Sequence, residues 1–274
     1  MKNFLDRQRE YAPYGPLADD FSTRALIAAG LFCVAMFIVL LPAMAFDPRI
    51  LDGAYVWIKP QKFAVSLGLH FFTLAILAQQ IPQKIRSGPI LSFFVLASIA
   101  SLMLEAGYVC IQAARARRSH YNFETPIEAT MYAFMGIGAV FLVIVALVLA
   151  IQVWRAGQRD LQGLRWGTII GLSVGTVSNL IFAGYMSSSE FRLVGEPVTG
   201  AVVPFFGWSR EVGDLRPAHF VALHMMQTLP LLGYIFDKTR MPARLGVVIA
   251  AALQLGLAAA LFFQALAGKP FWPV

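Results

Sequence analysis

GDLRPAHFVALHMMQ, residues 213–227, is the stretch on which the reading of this chain turns. It opens an apolar segment that continues to Phe236, and its first turns carry Asp214, Arg216, His219, His224 and Gln227. Ionisable and amide groups are costly in hydrocarbon, so a cluster of them inside an apolar span marks a functional site. The two histidines are five residues apart, about 140° on an ideal helix, so they flank one face without stacking on it. His224 lies deeper and is the expected inner ligand, with His219 at the rim.

Six further apolar runs surround this one. Together the expected spans are about 24–46, 60–80, 88–112, 126–154, 167–187, 217–236 and 245–267, each near the ~20 residues a helix needs to cross a bilayer. Of the 274 residues, 58% are apolar and 14% charged, against about 25% charged in soluble domains. The expected fold class is therefore all-α: an integral membrane bundle of seven transmembrane helices, forming a single domain over residues 1–274. The formal charge of +7 sits in the links, where it sets topology or meets lipid headgroups, and does not imply nucleic acid. Cys33 and Cys110 lie inside apolar runs, so no disulfide framework is expected.

Local signals mark several boundaries. Thr125-Pro126-Ile127-Glu128 has the form of a capping box with proline at the first helical position, and assigns Glu128 a capping role. Pro60 suits a first turn, and Asp214 is a candidate N-cap. Ala43-Met44-Ala45 has the form of a signal-peptidase site, but the lead and the apolar core before it are long for a signal peptide, and the span is read as retained. The lead itself suggests an amphipathic piece around Phe4 to Tyr14. The 201–208 portion, AVVPFFGW, is apolar enough to lie in the interface or fold back as a lid. Basic residues divide almost evenly between the two sides of this map. Their small excess beside the N-terminus, including Lys2, Arg7, Arg9 and Arg240, places that end in the cytoplasm of a bacterial-type inner membrane.

Under this topology the polar positions gather at one end. The second span carries Lys59, Lys62, Ser66, His70 and Thr73 at helical spacing, and the third carries Ser101, Glu105, Tyr108 and Gln112. Glu128 and Tyr132 begin the fourth, Asn179 lies in the fifth, and Gln254 is the exception in an otherwise apolar inner half. A carboxylate such as Glu105 in a membrane helix is protonated, ion-paired or metal-bound; Lys62 or Arg216 would be its structural partner. His70 and His224 have an ordinary reading as bundle histidines hydrogen-bonded to Tyr, Asn or Gln. His120 lies in a short link, at the surface or covering the site.

Ser66-x3-His70, an acid on the third span and a late histidine pair resemble the seven-helix zinc hydrolases related to alkaline ceramidase and the progestin/adipoQ receptors. That pattern has an aspartate on the third helix and histidines four apart on the last. Here the acid is Glu105, and the pair is five apart on the penultimate span. The resemblance covers a handful of positions and implies a zinc-bound water acting on an amide or ester, supported by Ser66 and Glu105. The expected site thus has His70 and His224 as ligands of a divalent metal, zinc by that resemblance, with Glu105 and Ser66 catalytic. Lys59, Lys62, Tyr108, Gln112, Asn179, Arg216, His219 and Gln227 would bind the substrate. Expected partners are membrane lipids and a lipid or amphiphilic ligand. Two other functions stay open: a haem-binding redox protein with His70 and His224 as axial ligands, and a proton-coupled transporter using Glu105 and the histidines as a relay.

Overall fold

The computed structural model describes residues 20–189, 191–239 and 241–273. The expected amphipathic piece at Phe4 to Tyr14 and the topology-setting Lys2, Arg7, Arg9 and Arg240 lie outside them. The chain divides into two compact units at Asp160 and Leu161.

Unit 1 contains α1 (Phe21–Phe46), β1 (Ile50–Leu51), β2 (Ala54–Tyr55), α2 (Ile58–Ala78), α3 (Gln83–Arg86), α4 (Pro89–Ala114) and α5 (Pro126–Ala156). Asp20 starts α1 by accepting a 2.9 Å hydrogen bond from the Thr23 amide. α2 begins two residues before the expected Pro60, which still falls in the first turn, where no intrahelical amide bond is lost. Thr125 caps α5 through the Glu128 amide at 3.3 Å, and its hydroxyl donates to the Glu128 carboxylate at 3.1 Å, so the capping reading of that motif holds. Between α1 and α2 the chain makes a tight antiparallel hairpin. Asp52 and Gly53 turn it with φ of 51° and 78°, the left-handed pair that a two-residue hairpin requires. Small residues set the α1–α2 contact: a methyl group on Gly68 would meet the Cys33 Cβ at 3.3 Å, and one on Gly30 would press on the Phe72 ring at 2.7 Å.

At the α3 end of unit 1 a buried ion pair ties three segments. Arg86 Nε donates to Asp20 Oδ2 at 2.9 Å, and its Nη1 donates to the Ile81 carbonyl at 2.8 Å. The Ser22 hydroxyl in turn donates to the Arg86 carbonyl at 2.6 Å.

Unit 2 contains α6 (Gln162–Ser188), β3 (Leu193–Val194), β4 (Gly213–Asp214), α7 (Arg216–Leu223), α8 (Met225–Lys238) and α9 (Ala243–Leu266). α6 packs on α8 along Gly163, Gly167, Gly171 and Gly175, one glycine per turn. A Cβ on Gly163 would fall on the Gly233 carbonyl oxygen, one on Gly167 on the Leu229 carbonyl oxygen, and one on Gly171 would lie 2.5 Å from that of Met225. This spacing of small residues is what lets membrane helices bring their backbones together. No side chain of its own N-terminus caps α6. The Gly163 and Leu164 amides instead donate to the two oxygens of Asp237, each at 2.8 Å.

Among the described residues six helices, α1, α2, α4, α5, α6 and α9, are long and apolar enough to cross a membrane. The expected sixth span, 217–236, is interrupted: α7 ends and α8 begins at His224. Pro230 lies inside α8; it can donate nothing to the carbonyl of the preceding turn and crowds it, which favours a break just upstream.

The link before α7 folds back onto it. The Val203 amide donates to the Trp208 carbonyl at 2.7 Å. Trp208 and Phe206 stack at 4.4 Å, and both meet Phe220 of α7 edge-on. Glu211 closes the same link by accepting from the Thr199 hydroxyl at 2.6 Å and from the amides of Val198, Thr199 and Ala201. These bonds, the Thr199 hydroxyl first, pull its carboxyl down to about 2.

Candidate functional site

In unit 1 the polar side chains form layers across α2, α4 and α5. The first layer lies where α2 begins and α4 ends. Gln112 is fully buried there. Its amide nitrogen donates to the Tyr108 hydroxyl at 3.1 Å, to the Arg118 carbonyl at 2.9 Å and to Glu128 Oε1 at 3.3 Å. Lys59 Nζ lies 3.1 Å from His120 Nδ1, and the His120 ring packs against Phe63 and Tyr132. His120 is thus half-buried over the α2–α5 seam.

The arginines of this layer are already matched to carboxylates. Arg117 Nε lies 3.1 Å from Glu128 and its terminal nitrogen pairs with Glu124; Arg118 pairs with Asp52 at 2.6 Å, and Arg49 with Asp47 at 2.7 Å. The Arg49 guanidinium, with the Trp57 indole N–H, holds the Asp47 carboxyl well below the usual carboxylate range. The guanidinium groups at this end are in large part held in internal ion pairs.

Beneath it lies an apolar layer of Tyr108, Val109 and Met135, with Phe63 and Met131 packed against them. One turn further along α4 comes Glu105, only 2% exposed. Its Oε2 has no hydrogen-bond partner, and Lys59 is the cation whose field it feels. Gly138 of α5 faces it: a Cβ there would stand 3.6 Å from Glu105 Oε1 and 3.7 Å from Ser101 Oγ. His70 is 8% exposed, hydrogen-bonds the backbone of Leu142, and leaves its Nε2 unpartnered. Gly138 and Leu142 are successive turns of one helix, so Glu105 and His70 lie about 6 Å apart along α5. The structure buries both predicted residues in unit 1, with the apolar layer between Glu105 and Gln112. Lys62 is half-buried on α2. Ser66 is exposed and does not share the burial of His70.

In unit 2 the residues of the opening stretch are spoken for in a different way. Arg216 donates twice to Asp214, at 2.9 and 2.6 Å, and to the Gly207 carbonyl at 2.7 Å, so it belongs to the entrance of α7. Asp214 also accepts from the Ser209 and Arg216 amides, although the residue at the cap position is Leu215. His224 Nδ1 lies 3.2 Å from Gln227 Oε1, the ordinary bundle-histidine arrangement. Asn179 is 5% exposed with its Oδ1 unpartnered, and His219 Nδ1 is likewise unpartnered. His70 belongs to unit 1 and His224 to unit 2. Among the described residues, no three of His, Cys, Asp or Glu are grouped so as to hold a metal ion.

No family model matches the chain, and neither does any curated protein or solved structure. The likeness to seven-helix zinc hydrolases rests on the sequence positions quoted for it alone.

The helix break has its own support. Interrupting the helix at His224 frees the Val221 carbonyl, and Gln254 of α9 donates to it at 2.9 Å. Gln254 Oε1 accepts from the Thr228 hydroxyl at 2.6 Å, and Thr228 also donates to the His224 carbonyl at 3.0 Å. Irregular backbone at membrane depth persists only where protein groups satisfy it. Gln254, the polar exception of the inner halves, is the residue that does so. Gln254→Leu leaves the part-buried Val221 carbonyl without its side-chain donor, a loss of about 1 kcal/mol. A lowered thermal midpoint of the purified protein is the expected result; an unchanged midpoint means the break is held by other groups.

Proposed function

We propose that the chain is an integral membrane protein, N-terminus in the cytoplasm, whose unit 1 holds an acid–base site that couples proton exchange to transport. Glu105 is the group that takes up and releases the proton, and His70 is its neighbour along α5. The observation that carries this reading is the buried carboxylate oxygen of Glu105 with no partner. A lone charge in such a place costs several kcal/mol, so Glu105 carries a proton or is met by a cation that arrives and leaves. The discontinuous helix at His224 favours transport over hydrolysis, because interrupted helices with satisfied backbone are a recurrent feature of carriers.

The test is the infrared difference spectrum of the purified protein between acid and alkaline buffers. The parent shows a protonated carboxyl band from a buried site, and Glu105→Gln, which keeps the side chain's shape, removes it. Identical difference spectra for the two proteins would sink the proposal.

A further inference from the structure

Gly138, Ser101 and Glu105 form a notch that the proton reading does not use. Glu105 Oε1 and Ser101 Oγ both lie within van der Waals reach of the place where Gly138 lacks a side chain. Ser101 is buried and spends its proton on the Ala97 carbonyl at 2.9 Å. Its oxygen lone pairs therefore stay available to accept; Glu105 Oε1 borders the same space, and the other oxygen of that carboxylate, Oε2, has no partner. The notch thus presents a hydroxyl oxygen and one carboxylate, a set of hard oxygen donors.

We infer that this notch takes a monovalent cation of the sodium type in exchange for the proton on Glu105. The inference rests on the proton-exchange reading and names the ion exchanged. Charge balance selects the ion class. One buried carboxylate is neutralised by one unit of positive charge, delivered as a proton or as a monovalent cation. A divalent ion would leave a net buried charge, which is expensive at this depth. Oxygen donors suit a hard cation. The exchange is balanced: one sodium ion enters as one proton leaves to solvent, and the charge of the bundle is unchanged. Gly138 leaves the space, since any side chain beyond a methyl group would occupy the notch.

Lipid-soluble dicyclohexylcarbodiimide reports on it, because the reagent adds to a protonated buried carboxyl. Labelling of Glu105 is read by mass spectrometry on the purified full chain, in sodium chloride or in choline chloride at equal ionic strength. The parent is labelled in choline, and sodium lowers that labelling several-fold. Ser101→Ala and Gly138→Val keep the labelling in choline and lose the sodium protection, which also shows that both variants are folded around Glu105. Equal labelling of the parent in sodium and choline overturns the cation site and leaves the proton site standing. Absence of Glu105 labelling in choline at every pH overturns both. Sodium protection that persists in Ser101→Ala and Gly138→Val overturns the notch as its location.

Discussion

Gly167→Ala destabilises unit 2 by about 2–3 kcal/mol, the upper range for forcing extra methyl groups into a packed interior, whereas Gly184→Ala on the same helix leaves it unchanged or slightly more stable. The two substitutions add the same methyl group to α6. At Gly167 it falls on the Leu229 carbonyl oxygen and beside Pro230, atoms of backbone that cannot turn aside. At Gly184 it meets nothing within 4 Å, and alanine has the better helix propensity by about 1 kcal/mol. Thermal unfolding of the two variants in one detergent separates the outcomes. Equal midpoints would mean that the glycine stripe does not set the α6–α8 approach.

Arg86→Met is the second large effect, at about 3–5 kcal/mol. The substitution keeps an apolar stem of similar length and removes the guanidinium. Asp20, whose side chain is 0% exposed, then remains buried without the charge it faces, and the Ile81 carbonyl loses its donor. The pair itself is no proof of stability, because burying two charges is costly. The loss comes from breaking it on one side. The double variant Asp20→Asn with Arg86→Met therefore recovers part of the deficit. A single variant as stable as the parent would show that water or another cation reaches Asp20.

Span positions were legible because hydrocarbon thickness fixes length and composition together. α4, α5 and α9 lie within two residues of their expected limits at each end. Hydropathy is blind to backbone continuity, so residues 217–236 read as one span. Pro230 was the available warning. The four-residue glycine repeat of α6 is equally plain in the sequence, but hydropathy does not register it.

Burial of Glu105 and His70 followed from helical spacing. Ser66 failed the same reasoning. Polar residues do not choose the contact face of a membrane helix; small residues do, and on α2 these are Ala64, Gly68, Ala75 and Ala78, all buried. At about 100° per residue, Lys59, Ser66 and His70 lie on the far side of the helix from that face. The ion pairs were hidden for another reason: Asp52 and Arg118 are 66 residues apart, and a pairing at that separation leaves no local pattern.

Asp237 bears on the order in which the chain leaves the ribosome. The carboxylate that accepts from the Gly163 amide is made 74 residues later. Until then two amides of the first turn and the glycine stripe of α6 lack the partners they have in the folded chain. The α6–α8 contact therefore closes only after α8 has been synthesised.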